Sequence, residues 1–65
     1  MPDIKPGTVF NTGTDIGCVA LDKPEYHMFQ ALDPDRKVYT YTVGMVTEVT
    51  GQCDLDKLLD SLIYG

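Results

Sequence analysis

The sequence predicts a mainly β domain: a small, strongly bent antiparallel sheet followed by one C-terminal helix. Three observations carry that prediction. Short runs rich in β-branched and aromatic residues alternate with turn clusters from Thr8 to about Thr50. The longest run keeps a period of two, as one half-buried strand face requires. Over the last dozen residues the period changes to that of a helix.

The elements follow in order. Gly7 precedes a short strand, Thr8 to Phe10, and N-T-G at Asn11 to Gly13 forms a loop. Ile16 to Leu21 and Tyr26 to Leu32 read as strands separated by the D-K-P-E turn, Asp22 to Glu25. D-P-D-R, Asp33 to Arg36, places Asp before Pro in the order that a type I turn prefers. The stretch KVYTYTVGMVTEVT, Lys37 to Thr50, then alternates through Gly44. Its odd positions, Tyr39, Tyr41, Val43, Met45 and Val49 among them, are the apolar ones. A bulge would shift that phase, and none is visible. The stretch therefore reads as one strand, or two collinear strands, coiled sharply at Gly44 rather than a hairpin turning there.

With four-residue loops at both turns, Val19 opposes Met28 and Met28 opposes Tyr41. One face becomes Val19, Leu21, Tyr26, Met28, Leu32, Tyr39, Tyr41 and Val43, and is the expected core. The other carries Ile16, Cys18, Ala20, His27, Phe29, Ala31, Val38, Thr40 and Thr42. That second face is half-apolar where a solvated face should be polar, so it wants a cover.

In CDLDKLLDSLIYG, Leu55, Leu58, Leu59, Leu62 and Ile63 recur at helical spacing and form one apolar stripe. Asp54 suits the N-cap, Asp56 suits the positive end of the helix dipole, and Gly65 stands where a C-cap would. A helix of about ten residues is too short to persist alone, so it should pack on the sheet.

Together these elements make a single small β domain over residues 1–65, with the helix at about 54–64. An SH3-like barrel is the preferred form. The alternative is an open meander of four or five strands with the helix on one face.

Composition bounds the function. A chain of 65 residues buries only roughly 60% of its unfolded surface, and its stability is marginal without help. Ten carboxylates against five bases give a net charge of −5, which argues against direct nucleic-acid binding. No apolar run is long enough to span a membrane, and MPDIKPG lacks the regions of a signal peptide, so a cytoplasmic protein with reduced Cys18 and Cys53 is expected. With one histidine and no paired cysteine motif, no metal site is expected, and D-P-D lacks the ligand run and closing glutamate of a calcium loop. No cofactor motif is present.

Candidate chemistry is sparse. Cys18 and His27 share a face in this reading, but no third group orients them, so an enzyme is not expected. Tyr26, Tyr39 and Tyr41 share the phase of core residues and lack the basic groove of a base-stacking platform. The expected function is a small acidic, non-enzymatic interaction module, binding a protein partner or a second copy of itself through Cys18, His27, Phe29, Val38 and Thr40. The alternative is an acidic inhibitor that meets the basic surface of a nucleic-acid-handling protein with Asp54, Asp56 and Asp60.

Overall fold

A computed structural model describes residues 3–64. Its elements are β1 (Thr8–Thr12), β2 (Cys18–Ala20), β3 (Met28–Leu32), β4 (Val38–Thr42), a 3-10 turn (Val43–Met45), β5 (Val46–Gln52) and α1 (Leu55–Tyr64). The strands form one five-stranded antiparallel sheet in the order β4-β3-β2-β1-β5. Consecutive strands are neighbours until β5, which crosses to the far side and pairs with β1. β4 and β5 are thus the two edges. Closing a barrel would require them to pair, and they do not, so the sheet is the open meander rather than the SH3-like barrel. The 3-10 turn joins the two edges at one corner only.

Gly44 lies in that turn, so Lys37–Thr50 is two strands that part at Gly44, as the second form of the expectation has it, and they belong to opposite edges of the sheet. β5 also contains what the sequence hides. Its register against β1 shifts once between Val9 and Phe10 and again between Asn11 and Thr12. The shifts set Val49 opposite Phe10 and Val46 opposite Thr12, so the core side of β5 is spaced by three residues and not by the two that the alternation suggests. Thr50 and Thr47 are the residues left over, and their hydroxyls donate to the carbonyls of Val9 (3.4 Å) and Asn11 (3.2 Å).

The β3–β4 register differs from the expected one by a single residue. Phe29, not Met28, opposes Tyr41, and Ala31 opposes Tyr39. The cause is the turn. Asp33 N–H donates to the Lys37 carbonyl and Arg36 N–H to the Asp33 carbonyl, both at 2.9 Å, with Arg36 in the left-handed region at φ 66°. The loop is therefore the three residues Pro34 to Arg36, and one residue fewer moves every β4 side chain to the other face. The Asp33 carboxylate reinforces this by accepting from Lys37 N–H at 2.7 Å.

Between β2 and β3 the expected pairing is wrong by four residues, an even number, so the faces survive: Val19 opposes Leu32 and Ala20 opposes Ala31. Here Tyr26 and His27 are not in a strand. Both have positive φ, 52° and 67°, and form the tip of a two-residue turn in which Glu25 and Met28 bond to each other both ways, at 2.8 and 3.0 Å.

The core lies on the face expected to be free. Phe10, Phe29 and Tyr41 make an aromatic trio, with Phe10 edge-on to Phe29 at 5.4 Å and to Tyr41 at 5.7 Å between ring centroids. Cys18, Ala20, Ala31 and Ile4 complete it, with Val43 and Val46 packed against it. The small residues of β2 and β3, which make that face look only half-apolar in the sequence, leave room for the ring that β1 supplies. Val19 and Leu32, from the expected core face, are buried but lie outside this cluster.

Gly7 has a conformational reason to be glycine. Its φ is 90°, and a Cβ there would stand 2.5 Å from the Cys53 carbonyl oxygen. Cys53 N–H donates to the Gly7 carbonyl at 2.9 Å, which extends the β1–β5 ladder to the start of the helix.

The helix forms where expected. The Asp54 carboxylate caps it, accepting from Lys57 N–H at 3.3 Å, and Asp56 lies in the first turn. Its packing is another matter. No helix residue is fully buried; Leu55, Leu58 and Leu59 are half-buried, while Ile63 and Tyr64 are 72% and 85% exposed. The expected docking of the whole stripe on the sheet is not found. The C-cap expected at Gly65 lies outside the described residues.

Candidate functional site

The predicted partner-binding residues do not form one surface. Cys18 is 0% and Phe29 4% exposed, both inside the core cluster, so neither can meet a partner. Val38 and Thr40 are exposed on the opposite face, and His27 is exposed at the turn tip, its carbonyl accepting from Val43 N–H at 2.8 Å. Asp54, Asp56 and Asp60 are all exposed on or beside α1.

The Cys18 thiol meets a tyrosine rather than the histidine. It donates to the Tyr41 hydroxyl at a sulfur–oxygen distance of 3.9 Å, and that hydroxyl donates to Asp15 Oδ2 at 3.3 Å. Burial pushes the thiol above its ordinary 9.0, an effect that the Tyr41 hydrogen bond partly offsets and nearby Asp15 and Asp33 reinforce. Burial, then the bond with Cys18, also raises the Tyr41 phenol. A thiol held in its protonated form is a poor nucleophile. The chain of three polar groups ties the core to a cleft of about 310 Å³ bordered by Asp15, Tyr39, Tyr41 and Met45.

What does stand open is the edge strand β4. Two hydrogen bonds, from Asp33 N–H to the Lys37 carbonyl and from Val43 N–H to the His27 carbonyl, fix the parity of the β3–β4 ladder. Residues 37, 39 and 41 and the Val43 N–H turn inward to β3, and Val38, Thr40 and the Thr42 N–H turn outward. The Thr42 and Val43 carbonyls belong to the 3-10 turn, where Val46 N–H donates to the Val43 carbonyl. Among the described residues no strand pairs with that outward row. Val38 is 55% exposed on the outer face and Tyr39 52% on the core face. A groove of about 400 Å³ between the Asp22–Tyr26 segment and β3, bordered by Asp22, Lys23, Glu25, Met28 and Gln30, reaches the strand at Thr40.

The two edges differ. β5 carries Glu48, Gly51 and two register shifts, features that spoil a template for pairing. β4, V-Y-T-Y-T, carries no charge, glycine, proline or irregularity. The sequence shows that uncharged run plainly. That it forms an edge depends on β5 crossing to β1, a long-range fact with no local signal. Asp15, which accepts the hydrogen bond of the Tyr41 hydroxyl, has no signal at all.

Compared with family models, with curated proteins and with solved structures, the chain matches none. Among the described residues, no group of three His, Cys, Asp or Glu side chains could hold a metal ion, and no helix is long and apolar enough to cross a membrane.

Proposed function

We propose that the chain is a non-enzymatic protein-interaction module that takes its partner along the β4 side of the sheet. The observation that carries this reading is the outward row of backbone groups on an uncharged, regular edge strand with exposed Val38 and Tyr39 on its two faces. An extended segment laid along such an edge gains main-chain hydrogen bonds, and pockets on either side select its side chains. Of the residues expected to bind, Val38 and Thr40 remain in this surface and His27 borders it; Cys18 and Phe29 lie in the core and take no part.

Selection of random linear peptides against the immobilised chain tests it, with a Thr40→Pro variant as the control. Thr40 N–H points outward, so proline there removes an edge donor and no bond of the β3–β4 ladder. Peptides that perturb the amides of Val38, Thr40 and Thr42 and lose binding on Thr40→Pro support the reading. Peptides that settle elsewhere, or none, overturn it.

A second reading rests on the exposed carboxylates Asp54, Asp56 and Asp60, with Lys57 the only base of α1. Such a face attracts a basic surface. It requires binding that weakens steeply with salt and disappears when the three are changed to asparagine; salt-independent binding removes it.

A further inference from the structure

We infer that the occupant of the β4 edge is a second copy of this chain, paired antiparallel about a twofold axis through Thr40. This rests on the reading of β4 as a docking edge and adds the identity and register of what docks.

The first argument is the order of residues. V-Y-T-Y-T reads almost the same in both directions. Antiparallel pairing centred on Thr40 sets Thr40 against the partner's Thr40, Tyr39 against the partner's Tyr41, and Val38 against the partner's Thr42. Threonine and β-branched pairs of this kind are favourable across strands, and Tyr41, 4% exposed, leaves the partner's Tyr39 unopposed at the surface. A foreign strand has no reason to match this symmetry; a second copy matches it by construction.

The second argument is parity. The outward backbone groups belong to 38, 40 and 42, and only even-numbered residues can form the hydrogen-bonded pairs of the new ladder. The Thr40-centred register pairs even with even, giving about four main-chain hydrogen bonds, since each Thr42 carbonyl already serves the 3-10 turn. A register slipped by one residue would set even against odd and lose them. The tyrosines then fall in the non-hydrogen-bonded pairs, where opposing side chains come closest. There the partner's Tyr39 would lie at the mouth of the cleft bordered by Asp15 and Met45, while Tyr41, 4% exposed, keeps its ring in the core.

The third argument is charge. The chain carries a net charge of −5, so two copies repel over most of their surfaces. Val38–Thr42 has no ionisable carboxylate or base, and the copies can meet there without opposing like charges.

The test is molar mass by light scattering at micromolar and near-millimolar concentration. Wild type is expected to reach twice the monomer mass, and the outward amides of Val38, Thr40 and Thr42 to exchange more slowly as it does. Thr40→Pro and Thr40→Lys are each expected to halve the mass; the lysines would face each other at the axis. Mixing Thr40→Lys with Thr40→Glu is expected to restore the doubled mass as a heterodimer, which only this register explains. If Thr40→Pro unfolds, the Lys and Glu pair decides alone. A wild type that stays monomeric, a dimer indifferent to Thr40→Lys, or a mixture that stays monomeric overturns the inference. A monomer that still binds selected peptides along β4 overturns the second copy alone, whereas a monomer that binds none overturns the docking edge as well.

Discussion

Phe29 and Tyr41 stand opposite each other across the β3–β4 hairpin, ring centroids 6.3 Å apart, on the side of the sheet that holds the core. Their pairing follows from a turn one residue shorter than the commonest reading of D-P-D-R would make it. The consequence for stability is direct. Phe29→Ala is expected to cost about 3–5 kcal/mol, and Phe29→Asp to abolish folding, because the carboxylate would be buried with no cation beside it. Urea unfolding followed by far-ultraviolet circular dichroism checks this. A folded Phe29→Asp with a wild-type midpoint would put residue 29 outside the core.

The Tyr41 phenol and the Cys18 thiol both hold their protons more tightly in the fold than at their ordinary values of 10.0 and 9.0. In the unfolded chain each ionises at its ordinary value, so above that pH the unfolded state has released a proton that the native state keeps. Stability from these groups is therefore complete below about pH 9 and falls as pH rises further. Tyr41→Phe should cost about 1 kcal/mol at neutral pH, through its lost hydrogen bonds, and should flatten the alkaline decline. Guanidinium midpoints measured against pH for both proteins check it; parallel declines would remove Tyr41 as the source.

At the tip of the Glu25–Met28 turn, two residues with side chains occupy the left-handed region, where asparagine and glycine are far more at ease. Replacing Tyr26 by Asn and His27 by Gly together is expected to raise stability by about 1 kcal/mol. An unchanged or lower unfolding midpoint would show that contacts of the two side chains hold the turn in place.

Asp54→Ala removes the helix cap and is expected to weaken α1 by about 1 kcal/mol. Since no residue of α1 is fully buried, the sheet should hardly respond. Hydrogen exchange read residue by residue separates the two: faster exchange confined to Leu58–Tyr64 is expected, and an equal loss of protection in β2 and β3 would make the helix part of the cooperative core.

Features fixed by a few neighbouring residues were legible in the sequence. The helix, its Asp54 cap, the strand-rich segments and the D-P-D-R turn depend on local chemistry, and the structure has them close to where the pattern indicates, whereas the turns at Tyr26–His27 and Gly44 fall inside expected strands. Register was not legible, because one residue more or less in the Asp33–Lys37 turn inverts a face without changing its polarity pattern much. The identity of the core face is hidden for a different reason: Phe10, its largest fully buried side chain, arrives from β1, outside the β2–β3–β4 meander. For the candidate site, V-Y-T-Y-T was visible as a run, but its freedom at the edge is a property of the topology.

The hydrogen bond from Cys53 to Gly7 has a mechanical meaning. It ties together the points where the chain enters β1 and leaves β5, so both ends of the sheet-forming segment emerge at the same place. Tension applied through them would not load the β1–β5 ladder in shear, with all its bonds resisting at once. It would open the ladder like a zip, starting at Thr8 and Gln52 and running one pair at a time toward Thr12. A pulling machine that grips α1 would meet little resistance, and the first strand it stripped away would leave β1 exposed with Phe10 still seated in the core.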